Sequence, residues 1–202
     1  VHGIPLDHQG EFIGSIGNLL HPYSILVGIL TVALFTMHGA IYILVKTEGE
    51  LHDKIRAWIN PCIIGCILTY SMTTLATMIF EPQMIKVIQE RPFLFFIAVM
   101  NMLALANIPR EVTAGRDGRA FLSSCFNIIF LMALFGVGMY PTVVRAINDP
   151  SLSLTIYNSS SSEKTLEILL LIALIGVPLV LAYTTSIYWI FRGKVRLDST
   201  SY

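Results

Sequence analysis

Five long, nearly uncharged stretches separated by short polar connections organise this chain. The first runs from Tyr23 to Val45 and the second from Ile59 to Phe80, neither with a formal charge. The third, Phe93 to Ile108, is the shortest. Its 16 residues at ~1.5 Å rise give roughly 24 Å, so the flanking Arg91 and Arg110 must reach outward to the membrane surface. The fourth runs from Ala120 to Tyr140, and the fifth from Leu166 to Phe191, with Glu167 in its first turn and Pro178 as an expected kink. Crossing a hydrocarbon core of ~30 Å takes about 20 residues as a helix, because lipid offers no partner to an open backbone N–H or C=O. The pattern predicts an all-α integral membrane protein with five transmembrane helices. Residues 23–140 form a four-helix bundle and 166–191 a peripheral fifth helix, packed beside the bundle or against a partner. An external segment (1–22), an external loop (141–165) and a cytoplasmic tail (192–202) complete the organisation. No internal repeat is visible, and SSSS at 159–162 is the one low-complexity run.

Composition supports the membrane reading: 54% of residues are hydrophobic and 13% charged, with a mean hydropathy of +0.70, far from the balance of a soluble domain. With 13 basic against 13 acidic residues, nothing points to a nucleic-acid partner. Cys62, Cys66 and Cys125 all lie in apolar segments, which argues against a disulfide framework. Residue 1 is valine and 1–22 contain no Lys or Arg, so a signal-peptide start is missing and the chain reads as processed or incomplete there. The Lys and Arg count sets the orientation. Nine lie in 46–58, 109–119 and the tail, against four in the segments of the opposite side. This predicts a cytoplasmic C-terminus. Trp58, Tyr140, Tyr188 and Trp189 at span ends fit interfacial positions.

Candidate chemistry centres on His38, the one histidine inside a span. A b-type haem needs two axial ligands at membrane depth, so a bis-histidine site within this chain is excluded, while His38 with Met72 or Met100 is not. His38 also shares a helical face with Thr31, Phe35 and Tyr42, the arrangement of a hydrogen-bonded position facing a bundle interior. Cys62 and Cys66 share a face with Thr69, Thr73 and Thr77. No further soft ligands accompany them, so close helix packing with hydroxyls bonding across the gap is the expected role. In KTEGELHDKIRAW, Glu50 precedes Lys54 by one turn, and Leu51, Ile55 and Trp58 form an apolar stripe. This predicts a short amphipathic helix on the bilayer surface, with Glu48 and Glu50 as candidate proton-entry groups. The turn PREVTAGRDGR carries three arginines but no nucleotide-loop pattern. No complete catalytic set and no metal site is visible.

HGAIYILVKTEGELHDKIRAW, with the preceding IGNLLHPYSILVGILTV, resembles subunit II of the cytochrome bd-type quinol oxidases, the cyanide-insensitive branch included. GMYPTVVRAINDPSLSLTIYNSSSSEKTLEILLLIALIGVPLVLAYTTSIYWIFRGKV is similar to that family's last loop and last helix. The resemblance covers the whole chain but only the C-terminal half of the family's subunit, and so implies four further helices before Val1. It implies a bacterial inner-membrane complex that oxidises quinol and reduces oxygen to water. Haem b, haem d and the quinol site would belong to a partner subunit I, and this chain would be a haem-free accessory scaffold in contact with membrane lipids. The family's proton-route acids lie in the absent half, so no catalytic residue carries over. Glutamine often stands where this chain has His38. Two readings remain beside it: a small b-type cytochrome or quinone-binding anchor using His38, and a transporter fragment broken at Pro178.

Overall fold

In the computed structural model, which describes residues 2–194, the five predicted spans are helices. They are α2 (Pro22–Lys46), α3 (Gly49–Phe80), α5 (Phe95–Thr113), α6 (Asp117–Met139) and α7 (Glu163–Ile190), preceded by the one-turn α1 (Ile16–Leu19). The far end of the predicted tail, with Arg196, lies outside the described residues. Local chemistry sets the helix ends. Pro22 opens α2, where a missing N–H costs nothing, and the preceding His21 accepts the Tyr23 N–H through Nδ1 at 3.2 Å. Only Thr47 and Glu48 separate α2 from α3, and Gly49 turns the chain at φ +67°, a left-handed conformation that a Cβ would strain. Such a short turn makes α2 and α3 antiparallel neighbours.

Three expectations are corrected. The surface helix expected over 50–58 is not separate; it is the opening of α3, whose 32 residues extend about 48 Å. No helix breaker stands between Gly49 and the span, and the continuous ladder is the cheaper solution, so the polar first turns run beyond the hydrocarbon core. The third span is not short, because a 3₁₀ turn at Pro92–Leu94 leads into α5, which continues to Thr113 through Pro109. Arg110 therefore sits within the helix. The connection after α3, read as a loop, contains α4 (Pro82–Glu90), a nine-residue helix opened by Pro82.

The bundle consists of two hairpins, α2–α3 and α5–α6, joined side by side. Its core collects residues at helical spacing: Leu34, Met37, Ile41 and Leu44 of α2; Ile59, Ile63 and Cys66 of α3; Leu105, Ile108 and Val112 of α5; and Ala120 of α6. This core fills the end of the bundle nearest the two hairpin turns. The opposite end encloses an apolar cavity of ≈ 320 Å³ lined by Leu30, Thr73, Met84, Leu131 and Phe135 among others.

Four side-chain hydrogen bonds link the helices in a closed ring. Tyr23 and Thr77 join α2 to α3 (2.9 Å), Asn101 Nδ2 donates to Tyr70 Oη between α5 and α3 (2.9 Å), Asn107 Nδ2 donates to Ser123 Oγ between α5 and α6 (2.9 Å), and His38 pairs with Ser124 between α2 and α6 (2.8 Å). In lipid the apolar surfaces gain nothing by leaving water, so these bonds and the close packing select the neighbours. The fifth helix, α7, buries no residue. It meets the bundle's end where Lys46 Nζ donates to the Phe191 carbonyl at 2.6 Å and Lys194 pairs with Glu48 at 3.4 Å.

Across the other end, the N-terminal segment and the connection after α6 form one cap. Strands β1 (Thr142–Val144) and β2 (Leu154–Thr155) pair antiparallel. Ile4 bridges Ala146, and the Asn148 side chain both accepts the Leu6 N–H (3.0 Å) and donates to the Leu6 carbonyl (2.7 Å). Gly3 permits the approach, since a Cβ there would lie 2.7 Å from the Arg145 carbonyl oxygen. Asp149 accepts the Ser151 N–H, and the hydrogen bonds from Ser151 hold its carboxyl below the usual carboxylate range.

Candidate functional site

His38 faces α6. Its Nδ1 lies 2.8 Å from Ser124 Oγ, and Ser124 spends its single proton on the Phe121 carbonyl at 2.7 Å. The imidazole must then donate from Nδ1, which leaves Nε2 as the acceptor, with no partner among the described residues. The ring stacks on Phe121 at 5.0 Å, and Tyr42 meets the same phenyl at 5.6 Å. Of its face-mates, Phe35 is exposed at 60%, and Thr31 and Phe35 line the apolar cavity instead. A haem held by this chain alone does not fit these residues. Met100 lines a groove between α5 and α6 and Met72 is exposed, so neither is assembled with His38 as a second axial ligand.

Cys62 is half-buried and Cys66 is fully buried in the core, both as free thiols. The threonine column behind them largely bonds to its own helix. Thr69, Thr73 and Thr77 each donate to the carbonyl four residues earlier, at 2.8, 2.7 and 2.8 Å. Thr77 alone of the three also reaches across, to Tyr23. A hydroxyl on a helix in lipid finds its nearest acceptor one turn back, so local bonding replaces the expected cross-helix bonds.

The most concentrated electrostatic site is one that sequence reasoning missed. Glu81 ends α3 beneath the cap with its side chain 1% exposed. One carboxylate oxygen lies 2.7 Å from His2 Nδ1; the other accepts from Gln83 Nε2 and lies 3.5 Å from Arg145 Nη1. His2 stacks on His21 at 3.7 Å, and His21 in turn meets Phe80 edge-on. A buried carboxylate persists only when paired, and here the N-terminal segment and the loop after α6 each supply a basic partner. The arrangement can fasten the cap to the bundle. Nothing local marked it, because its partners are 79 residues away in one case and come from another loop in the other. Asn101 and Asn127 were missed for a related reason: they are uncharged, yet buried at 0% and 1%, each with an amide oxygen that has no partner among the described residues.

At the opposite end, Arg56 of α3 reaches the α5–α6 turn. It donates through Nη1 to the Val112 carbonyl (2.8 Å) and through Nη2 to Asp117 (2.9 Å), while Arg116 pairs with the buried Glu111 at 2.9 Å. Glu50 and Lys54 pair at 2.6 Å on an exposed face.

The fold and its buried polar positions define a multi-pass membrane protein of the all-α class, with one small two-stranded sheet in its cap, whose described residues assemble no catalytic set. Residues 1–191 match the family model for cytochrome bd terminal oxidase subunit II, and the chain belongs to that family. It is 26% identical over 218 residues to cytochrome bd-I ubiquinol oxidase subunit 2 of Escherichia coli (strain K12), covering 93% of this chain and 56% of that protein. It is 24% identical over 195 residues to cytochrome bd ubiquinol oxidase subunit 2 of Bacillus subtilis (strain 168), covering 96% and 56%. The chain thus spans about half the length of these curated relatives. A chain in the structure of bd oxidase from Geobacillus thermodenitrificans shares the fold, with a TM-score of 0.69 at 20% identity, over 94% of this chain and 56% of that one.

Proposed function

We propose that this chain is a haem-free helical subunit of a bacterial inner-membrane quinol oxidase, supporting a haem-bearing subunit I that carries haem b and haem d. Its membership of the subunit II family is the observation that carries this reading. The ring of hydrogen bonds among α2, α3, α5 and α6 supports it, since the interior polar groups serve chiefly to join helices. The unburied surface of α7 is suited to lipid or to subunit I. Lys46, Arg56, Arg110, Arg116, Arg119 and Lys194 gather at the end proposed as cytoplasmic, which also carries the described part of the tail. A reporter fused to the C-terminus and active only outside the cytoplasm would reverse that orientation.

The His38 Nε2, which has no partner among the described residues, favours one second reading. A metal-binding imidazole is normally oriented by a hydrogen bond at its other nitrogen, as His38 is by Ser124. His38 would then donate to a haem held mainly by subunit I. Substituting His38→Ala in the purified complex separates the two. Unchanged haem content by pyridine haemochrome assay is expected, together with a loss of about 1 kcal/mol of stability from the missing bond to Ser124. Loss of one haem per complex would replace the first reading with the second.

Glu50 is weighed the same way. Its pair with Lys54 is 84% exposed on the Glu50 side, and a pair of this kind contributes under ~0.5 kcal/mol. Glu50→Gln is expected to leave oxygen consumption within about twofold of the parent. A tenfold fall in turnover with assembly intact would make Glu50 a proton-entry group.

A further inference from the structure

The turn between α5 and α6 spends its acids internally. Glu111 is taken by Arg116 and Asp117 by Arg56. Arg110, in the last turn of α5, and Arg119, in the first turn of α6, are left exposed, with no carboxylate partner among the described residues. Both line one end of an open groove of ≈ 830 Å³ between the two helices, together with Glu111, whose carboxylate is paired with Arg116. Deeper along it lie Asn107 and Ser123, bonded to each other at 2.9 Å, and beyond them the apolar side chains of Leu103, Phe126, Met100 and Phe130. From Arg110 back to Met100 the helix extends about 15 Å, half of a ~30 Å hydrocarbon core.

We propose that this groove binds one anionic phospholipid, with its phosphate between Arg110 and Arg119 and an acyl chain along Leu103, Phe126 and Phe130. The order of chemistry along the groove is that of a lipid: cations at the phosphate level, amide and hydroxyl at the ester level, then hydrocarbon for one leaflet. Guanidinium forks match phosphate oxygens, and juxtamembrane arginines attract anionic headgroups. Retention of positive charge on one side explains why arginines stand in this turn. It does not explain why both local carboxylates are neutralised while the two free guanidiniums flank a groove. A partner's transmembrane helix would need an apolar track through both leaflets, whereas this groove begins with charge and runs for half that depth.

The test uses the full-length protein in its membrane assembly, extracted in mild non-ionic detergent, with retained phosphatidylglycerol counted by native mass spectrometry. The expected result is one tightly held phosphatidylglycerol, reduced at least fivefold in occupancy in R110Q/R119Q and unchanged in R91Q at the opposite end. Leu103→Trp, which keeps both arginines but fills the groove, is expected to lower occupancy to the same extent. It decides the matter if the double variant does not assemble. Unchanged occupancy in Leu103→Trp would overturn the proposal. So would equal retention of phosphatidylcholine, competition by inorganic phosphate that ignores Leu103→Trp, or cross-linking from position 103 to a protein in place of lipid.

Discussion

Replacing His2 with leucine and Arg145 with methionine together is expected to lower the free energy for opening the cap by about 3 kcal/mol. The substitutions remove the His2 ring and the Arg145 guanidinium from a Glu81 carboxylate that is 1% exposed. Breaking a buried pair from one side typically costs ~3–5 kcal/mol, because the remaining charge has neither water nor a counter-ion. The low end applies here. Gln83 still donates to Glu81, and His2 and Arg145 are themselves 30% and 40% exposed, so water can approach once they shrink. The loss should be local, since this cluster fastens the cap to the end of α3, while the cap's own two segments are held to each other by bonds such as Ile4 N–H to the Arg145 carbonyl at 2.9 Å. Hydrogen exchange at the Ile4, Leu6 and Ile147 amides should accelerate by roughly 150-fold, with exchange in α2 and α3 unaffected. Adding Glu81→Gln to the double variant should restore most of the protection, because the uncompensated charge is then gone. Failure of that third substitution to rescue would show that lost packing, and not the buried carboxylate, is responsible.

Arg56→Ala should cost the bundle about 2 kcal/mol. One guanidinium donates to the Val112 carbonyl and to Asp117, whose side chain is 16% exposed; its removal takes the counter-ion from Asp117 at a helix junction and leaves the Val112 carbonyl with the Gly115 N–H. Arg56 is itself about one-third exposed, which keeps the figure below that of a fully buried pair. Arg56→Lys retains charge without the planar fork and should recover about half of the loss. Thermal unfolding in detergent distinguishes the three proteins. A lysine variant as stable as the parent would mean that charge alone matters. The junction also sets the ends of α5 and α6 on which Arg110 and Arg119 sit, so Arg56→Ala should weaken lipid retention as well.

Much of this architecture was legible along the chain. The five spans were, because lipid imposes a length and an absence of charge that each helix must meet by itself, wherever its neighbours stand. The continuity of α3 through residues 49–58 was not. Amphipathic spacing predicts a helix there, and only the absence of a break determines whether that helix lies on the surface or extends the span. The third span read short because Arg91 and Arg110 looked like its boundaries. In the fold Arg110 reaches outward from the helix, while Glu111 is buried against Arg116 within the same turn. His38 was visible as a polar residue in an apolar helix. Its bond to Ser124, 86 residues on, was not.

By itself, then, the sequence determined the membrane class, the number of spans, the family and the uneven distribution of basic residues between the two ends. Each of these depends on composition or on residues close together along the chain. The tertiary structure decided which polar groups meet: His38 with Ser124, Glu81 with His2 and Arg145, Arg56 with Asp117, and Arg110 and Arg119, without a carboxylate partner among the described residues, on either side of one groove. In lipid, apolar helix faces are nearly interchangeable, so the neighbours are chosen by a few directed bonds and close contacts between distant residues, and those exist only once the helices have come together.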